Sequence, residues 1–190
     1  ITEPEPGHFV FDMGQNIVGW CRLKADGPAG TKVTLRFAET VNDDGTIYVK
    51  NLRGARASDQ YTLKGGELET WEPRFTYHGF RYVEVTGLPA KPTFDTLTGK
   101  VVHDDVEVVG QFVCSNQLLN QIFNNVVWGV RGNYRSIPTD CPQRDERLGW
   151  LGDRSEVSQG ESYLFDIAAL YSKWLRDIRE LRIIRSGRKK

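Results

Sequence analysis

The sequence predicts a two-part chain: an antiparallel β-sandwich or jelly roll over residues 1–113, followed by helices over residues 114–190. Three observations predict it. Short apolar runs alternate with turn residues at roughly 8–12-residue spacing through the first part, as strands of a sandwich do. Near Ser115 the apolar period lengthens from two residues to three and four, the change from strand to helix. Too few helices then follow to close an all-helical domain, because each would keep an uncovered apolar face. The helical part therefore reads as truncated.

The β part opens with His8-Phe9-Val10-Phe11-Asp12-Met13 and Ile17-Val18-Gly19-Trp20-Cys21-Arg22-Leu23, two runs parted by Gly14-Gln15-Asn16. Asp26-Gly27-Pro28-Ala29-Gly30 is a turn segment. The stretch 32–38 alternates cleanly, with Val33, Leu35 and Phe37 on one face. Asn42-Asp43-Asp44-Gly45 carries the Asp-Gly pair of a tight hairpin. Further strands are expected over 59–64, 68–72, 81–86, 96–103 and 106–113. Trp20 and Trp71 are expected in the sandwich core or at its junction with the helical part.

The helical part begins with Leu118, Leu119, Ile122, Phe123, Val126, Val127 and Val130, one apolar stripe, with Ser115 as the expected N-cap. Pro138 and Pro142 hold an irregular segment after it. A second helical pattern starts after Gly152 and a third covers about 167–184. The basic run over 182–190 is expected to be a frayed end.

Bulk properties exclude several functions. Hydrophobic residues make up 39% of the chain, which suits a packed core and not disorder. The 25 basic and 25 acidic residues balance, so no electrostatic argument favours nucleic acid or an anionic membrane. No apolar run of about 18 residues is present to span a bilayer. Three cysteines, Cys21, Cys114 and Cys141, form no disulfide framework and are read as reduced. Ile1 in place of an initiator Met suggests a natural N-terminus upstream, and no secretion signal is visible. Compartment is thus undetermined, with the cytoplasm slightly favoured, and oligomeric state is not readable.

The chemistry concentrates in residues 138–153. Asp140, Arg144, Asp145, Glu146, Arg147, Trp150 and Asp153 fall in 14 positions. A solvated loop of self-paired charges is the bland reading. Against it, Pro138, Pro142, Gly149 and Gly152 fix the backbone, and Trp150 offers an apolar face among charges, as a sugar platform does. Arginines beside Glu146 would lower its pKa, and burial or neighbouring acids would raise it; a general acid needs the second to win. Spacing alone leaves that choice open.

The run Thr139-Asp140-Cys141-Pro142-Gln143-Arg144-Asp145-Glu146-Arg147-Leu148-Gly149-Trp150-Leu151-Gly152-Asp153 resembles the signature opening the catalytic domain of bacterial α-L-rhamnosidases, glycoside hydrolase family 78. Phe11-Asp12-Met13-Gly14-Gln15-Asn16 and Trp71-Glu72-Pro73-Arg74-Phe75-Thr76-Tyr77-His78-Gly79-Phe80-Arg81-Tyr82 resemble the β-sandwich preceding it, and 112–135 resembles the first barrel helix. The resemblance implies a β-sandwich followed by the first helices of a truncated (α/α)6, or six-hairpin, barrel. It implies hydrolysis of terminal α-L-rhamnose with inversion and with no cofactor or metal. Glu146 is the implied general acid. Asp140 is implied to bind rhamnose hydroxyls and Trp150 to pack on the sugar's apolar face. Arg144 and Asp153 are implied to line or support the pocket. The implied partner is a carbohydrate substrate, not nucleic acid or membrane.

An inverting enzyme needs a second carboxyl as base about 6.5–9.5 Å from the acid. Asp145 is adjacent to Glu146 in sequence and diverges from it on any regular backbone, so it is a poor partner. No segment resembles the family's base-bearing region, so the isolated chain is expected to be inactive. His8, His78 and His103 lack metal-ligand spacing and read as structural. Cys141 has no nearby histidine to activate it. The Asn42–Gly45 acids read as a turn, not a calcium loop. Two alternatives stay open. One is a non-catalytic carbohydrate-binding sandwich, which rhamnose titration of residues 1–113 would reveal. The other is a different sugar in the same pocket, which a panel of chromogenic glycosides would reveal.

Overall fold

The computed structural model describes residues 1–187, with side chains described through 182. It divides into two compact units: Ile1–Val102 with Cys141–Glu146, and His103–Asp140 with the chain from Arg147 onward.

The first unit is an antiparallel, sheet-rich domain. Its strands are β1 (Thr2–Glu5), β2 (His8–Ala25), β3 (Lys32–Ala38), β4 (Thr40–Val41), β5 (Ile47–Tyr48), β6 (Ser58–Thr62), β7 (Glu69–Trp71), β8 (His78–Thr86) and β9 (Leu97–Val101). Seven of them form one sheet in the order β1-β2-β8-β3-β6, with β7 and β9 also paired to β2. β4 and β5 form the hairpin expected around Gly45, closed by Gly45 N–H donating to the Asn42 carbonyl at 3.0 Å.

β2 is the backbone of this unit. The two runs expected on either side of Gly14 are one continuous strand, whose register on β8 shifts between Asp12 and Ile17. Gly14 takes a positive φ of 76° there, a conformation cheap only for glycine, so the residues that part the two runs are a bulge. The Asp12 carboxylate accepts Gly14 N–H at 2.8 Å and a two-armed bond from Arg81 at 2.7 and 2.8 Å.

The alternation of β3 translates directly into packing. Val33, Leu35 and Phe37 are fully buried, together with Phe80, Val83 and Val85 of the adjacent β8. Each such side chain removed from water contributes about 1.5–3 kcal/mol. Trp20 and Trp71 are half-buried: Trp20 donates its indole N–H to Glu72 at 2.6 Å, and Trp71 stacks on Tyr61.

The second unit has α1 (Gln117–Gly132), β10 (Tyr134–Arg135), β11 (Ile137–Pro138), α2 (Leu151–Ser162) and α3 (Ala168–Gly187). Asn116, not Ser115, caps α1: its side-chain oxygen accepts Leu118 N–H at 2.9 Å, the reach that capping requires. The stretch 106–113 is not a strand. It makes one isolated bridge, Val108 to Phe165, with the Val109 and Gly110 N–H groups both donating to the Leu164 carbonyl. The core is Tyr134, Leu164, Phe165, Ile167 and Leu170, flanked by Phe123, Val127 and Val130 of α1. Leu118, Leu119, Ile122 and Val126 of the same stripe are exposed. Of the basic end expected to fray, residues 188–190 lie outside the described residues. Among the described residues, no helix is long and apolar enough to cross a membrane.

Candidate active site

The chemistry-bearing segment is held at its start by the second unit. β10 and β11 form a tight antiparallel pair turning at Ser136, whose φ is 66°. Both oxygens of Asp104 accept Ser136 N–H, and Lys173 donates to the Ser136 carbonyl and hydroxyl at 3.1 Å. Thr139 follows, buried, and donates its N–H to the Asn133 carbonyl at 2.7 Å and its hydroxyl to the same oxygen at 3.0 Å.

Asp140 then closes a ring. Its N–H donates to the Leu148 carbonyl at 3.1 Å, and its Oδ1 accepts Leu148 N–H at 2.8 Å. Residues 140 and 148 are thereby paired across the loop. Gly149 lies against the Trp174 indole, where an added Cβ would fall 3.0 Å from the ring. Trp150 comes next, 46% exposed, with its extended backbone serving as N-cap of α2 and its carbonyl accepting Arg154 N–H at 3.2 Å. Asp153 sits exposed in the first turn of α2, where the helix dipole favours an acid.

Beneath the segment lies a buried polar group that sequence reasoning missed. Arg154 donates one arm to Glu161 and another to the Thr139 carbonyl. Tyr171 donates its hydroxyl to Glu161 at 2.5 Å, and Glu161 is only 2% exposed. Burial, the largest cause, and the Glu161 charge push the Tyr134 and Tyr171 hydroxyls well above the ordinary phenol range. Arg154 and Glu161 are two helical turns apart on one face of α2. That spacing is a sequence signal, but burial of the pair is not.

Cys141–Glu146 packs with the first unit. The Glu146 carboxylate accepts from Arg144 Nη2 at 2.8 Å and from Arg53 Nη1 at 3.4 Å, and its side chain is 23% exposed. Arg144 N–H donates to the Cys141 carbonyl at 3.3 Å, forming a turn. Cys141 and Arg147 both have positive φ, 39° and 56°, the kind of backbone found at functional loops. Of the residues singled out by sequence, Arg144 and Glu146 are thus brought together in the first unit. Asp140, Trp150 and Asp153 belong to the second. Arg53 carried no sequence signal at all.

The histidines are engaged separately: His8 with Glu84, His78 with Asp59 and His103 with the Asp104 carbonyl. Cys21 is buried, which pushes its thiol well above the usual range.

Residues 107–185 match the family model described as the bacterial alpha-L-rhamnosidase 6 hairpin glycosidase domain, and residues 2–103 match the bacterial alpha-L-rhamnosidase concanavalin-like domain. The chain belongs to the bacterial α-L-rhamnosidase family.

It is 53% identical over 180 residues to an alpha-L-rhamnosidase of Streptomyces avermitilis, covering 95% of this chain and 18% of that protein. It is 42% identical over 174 residues to one of Formosa agariphila, covering 90% and 19%. The crystal structure of the Streptomyces avermitilis enzyme complexed with L-rhamnose superposes with a TM-score of 0.92 at 53% identity, over 94% of this chain and 17% of that one. The alpha-L-rhamnosidase of Dictyoglumus thermophilum also gives 0.92, at 49% identity over 94% and 20%. The chain therefore spans about a fifth of the length of the relatives it matches.

Proposed function

We propose that the whole protein containing this chain is an α-L-rhamnosidase that removes terminal rhamnose with inversion, and that Glu146 is its general acid. The carrying observation is the run from Thr139 to Asp153, which resembles the family's signature, on a chain 53% identical to a protein named α-L-rhamnosidase. The domain assignment follows the same reading: a sandwich over 1–113 and the opening of the barrel over 114–190.

In this mechanism the protonated Glu146 carboxyl gives its proton to the glycosidic oxygen. The bond from that oxygen to the anomeric carbon breaks, and the leaving group departs neutral. Water attacks the anomeric carbon from the opposite face and loses its proton to a second carboxylate. No residue of this chain is assigned as that base. Asp140 binds sugar hydroxyls and Trp150 packs on the apolar face of the ring. Arg144 orients Glu146, supported by their 2.8 Å contact, and Asp153 supports the pocket from the head of α2. No cofactor enters this chemistry.

The test is Glu146→Gln in the full-length protein. Rhamnose release from a glycoside with a poor leaving group should fall ~10²–10⁴-fold, the usual contribution of a general acid. An activated aryl rhamnoside, whose leaving group departs without a proton, should lose much less. An unchanged rate on the poor substrate would overturn the assignment.

A further inference from the structure

We propose that the β unit positions the catalytic acid: Gly79, Gly54 and Arg53 seat the Cys141–Glu146 loop and aim its carboxylate. The proposal rests on the reading of Glu146 as general acid. The loop leaves the helical unit and packs with the sheet-rich one, so its geometry is set by what it meets there.

Three contacts define the seat. At Gly79, in β8, an added Cβ would lie 2.9 Å from the Gln143 amide nitrogen and 3.0 Å from its Cα. Atoms essentially never come that close, so any side chain at 79 must displace the loop's backbone. At Gly54 an added Cβ would lie 3.3 Å from an Asp145 carboxylate oxygen, a tight contact with the loop's side chain. Between them, Arg53 reaches Glu146 Oε2 at 3.4 Å.

Arg53 does this from a φ of 56° and ψ of −123°, at the end of the short 3-10 turn Lys50–Leu52. A left-handed φ is costly for a side-chain-bearing residue, and such strain persists where surrounding structure imposes it. The preceding Leu52 is buried and anchors the turn. Gly79 thus sets the distance of the loop from the sheet, Gly54 gives the Asp145 side chain close passage, and Arg53 joins Arg144 in directing the carboxylate. Gly79 is held rigidly, since it pairs with Val18 inside the sheet. A proton transfer needs the donor within hydrogen-bond reach of the glycosidic oxygen, so a displacement of one ångström matters.

The readout is leaving-group dependence, which a purely structural defect would not alter. In the full-length protein, Gly79→Ala should lower kcat about 10²-fold on a poorly departing natural rhamnoside, the loss expected for misplacement by about 1 Å. It should leave the rate on an activated aryl rhamnoside within a few-fold, the selectivity also expected of Glu146→Gln. Arg53→Met should give a smaller loss of the same selectivity, and Arg53→Lys should restore it. If Gly79→Ala fails to fold, the exposed Arg53 pair decides the matter alone. Selective loss in Glu146→Gln with equal losses on both substrates in the Gly79 and Arg53 variants would overturn this inference and leave the acid assignment intact. Absence of selectivity in Glu146→Gln itself would overturn that assignment instead.

Discussion

Glu161 is nearly inaccessible and carries charge, which an interior tolerates only when the charge is paired. Arg154 supplies the pair and uses its other arm to hold the Thr139 carbonyl, one residue before Asp140. Glu161→Ala would leave the mostly buried Arg154 guanidinium without its partner, at a cost of about 3–5 kcal/mol. Urea denaturation should register that loss as a lower midpoint. The double change Arg154→Met with Glu161→Leu should recover much of it, because no charge is then stranded. A double variant as unstable as the single one would show that the ion pair is not the cause.

Among the elements, β2, β7 and the flank of β7 carry acids whose surroundings favour ionisation. The Arg81 guanidinium, and then Gly14 N–H, hold Asp12 below the usual carboxylate range. The Tyr61 hydroxyl, with Lys64 and Gly65 amides, does so for Glu69, and the Trp20 indole with Arg22 for Glu72. A carboxylate depressed in the folded state adds stability that is complete above its unfolded pKa of about 4. That stability is lost as pH falls through the depressed folded values. The thermal midpoint should therefore hold from pH 7 to about 5 and drop below about 4. Glu69→Gln should have a lower midpoint at neutral pH and a shallower acid decline. An acid decline of unchanged steepness would remove Glu69 from the set.

At the scale of the whole molecule, the inverting mechanism requires two carboxyls, and this chain is assigned one of them. The 190-residue chain expressed by itself should release no rhamnose from an aryl α-L-rhamnoside, whereas the full-length protein should. Turnover by the isolated chain would require a base within it and would send the search back to its own acids.

Much of this architecture was legible in the sequence. The period-two run of β3 and the Asp-Gly hairpin appear where expected, because local patterning and turn chemistry decide them. The change of period near Ser115 marks the helical part for the same reason, although the cap moved one residue to Asn116. Gly14 misled: a glycine between apolar runs reads as a break between them, and only the pairing with β8 makes it a bulge in one strand. The stretch 106–113 forms only an isolated bridge, since its backbone bonds converge on Leu164 in place of continuing as a ladder. The signature from Thr139 to Asp153 named the chemistry, since catalysis fixes residue types. Its support was not legible. Whether Arg53 faces Glu146, whether Gly79 clears Gln143, and whether Arg154 and Glu161 are buried depend on which remote surfaces meet. Sequence alone determined the two-part fold, through periodicity, and singled out Glu146 as the proposed acid, through its motif. Tertiary structure alone decided what holds that acid, because close approach and burial belong to pairs of segments far apart in the chain.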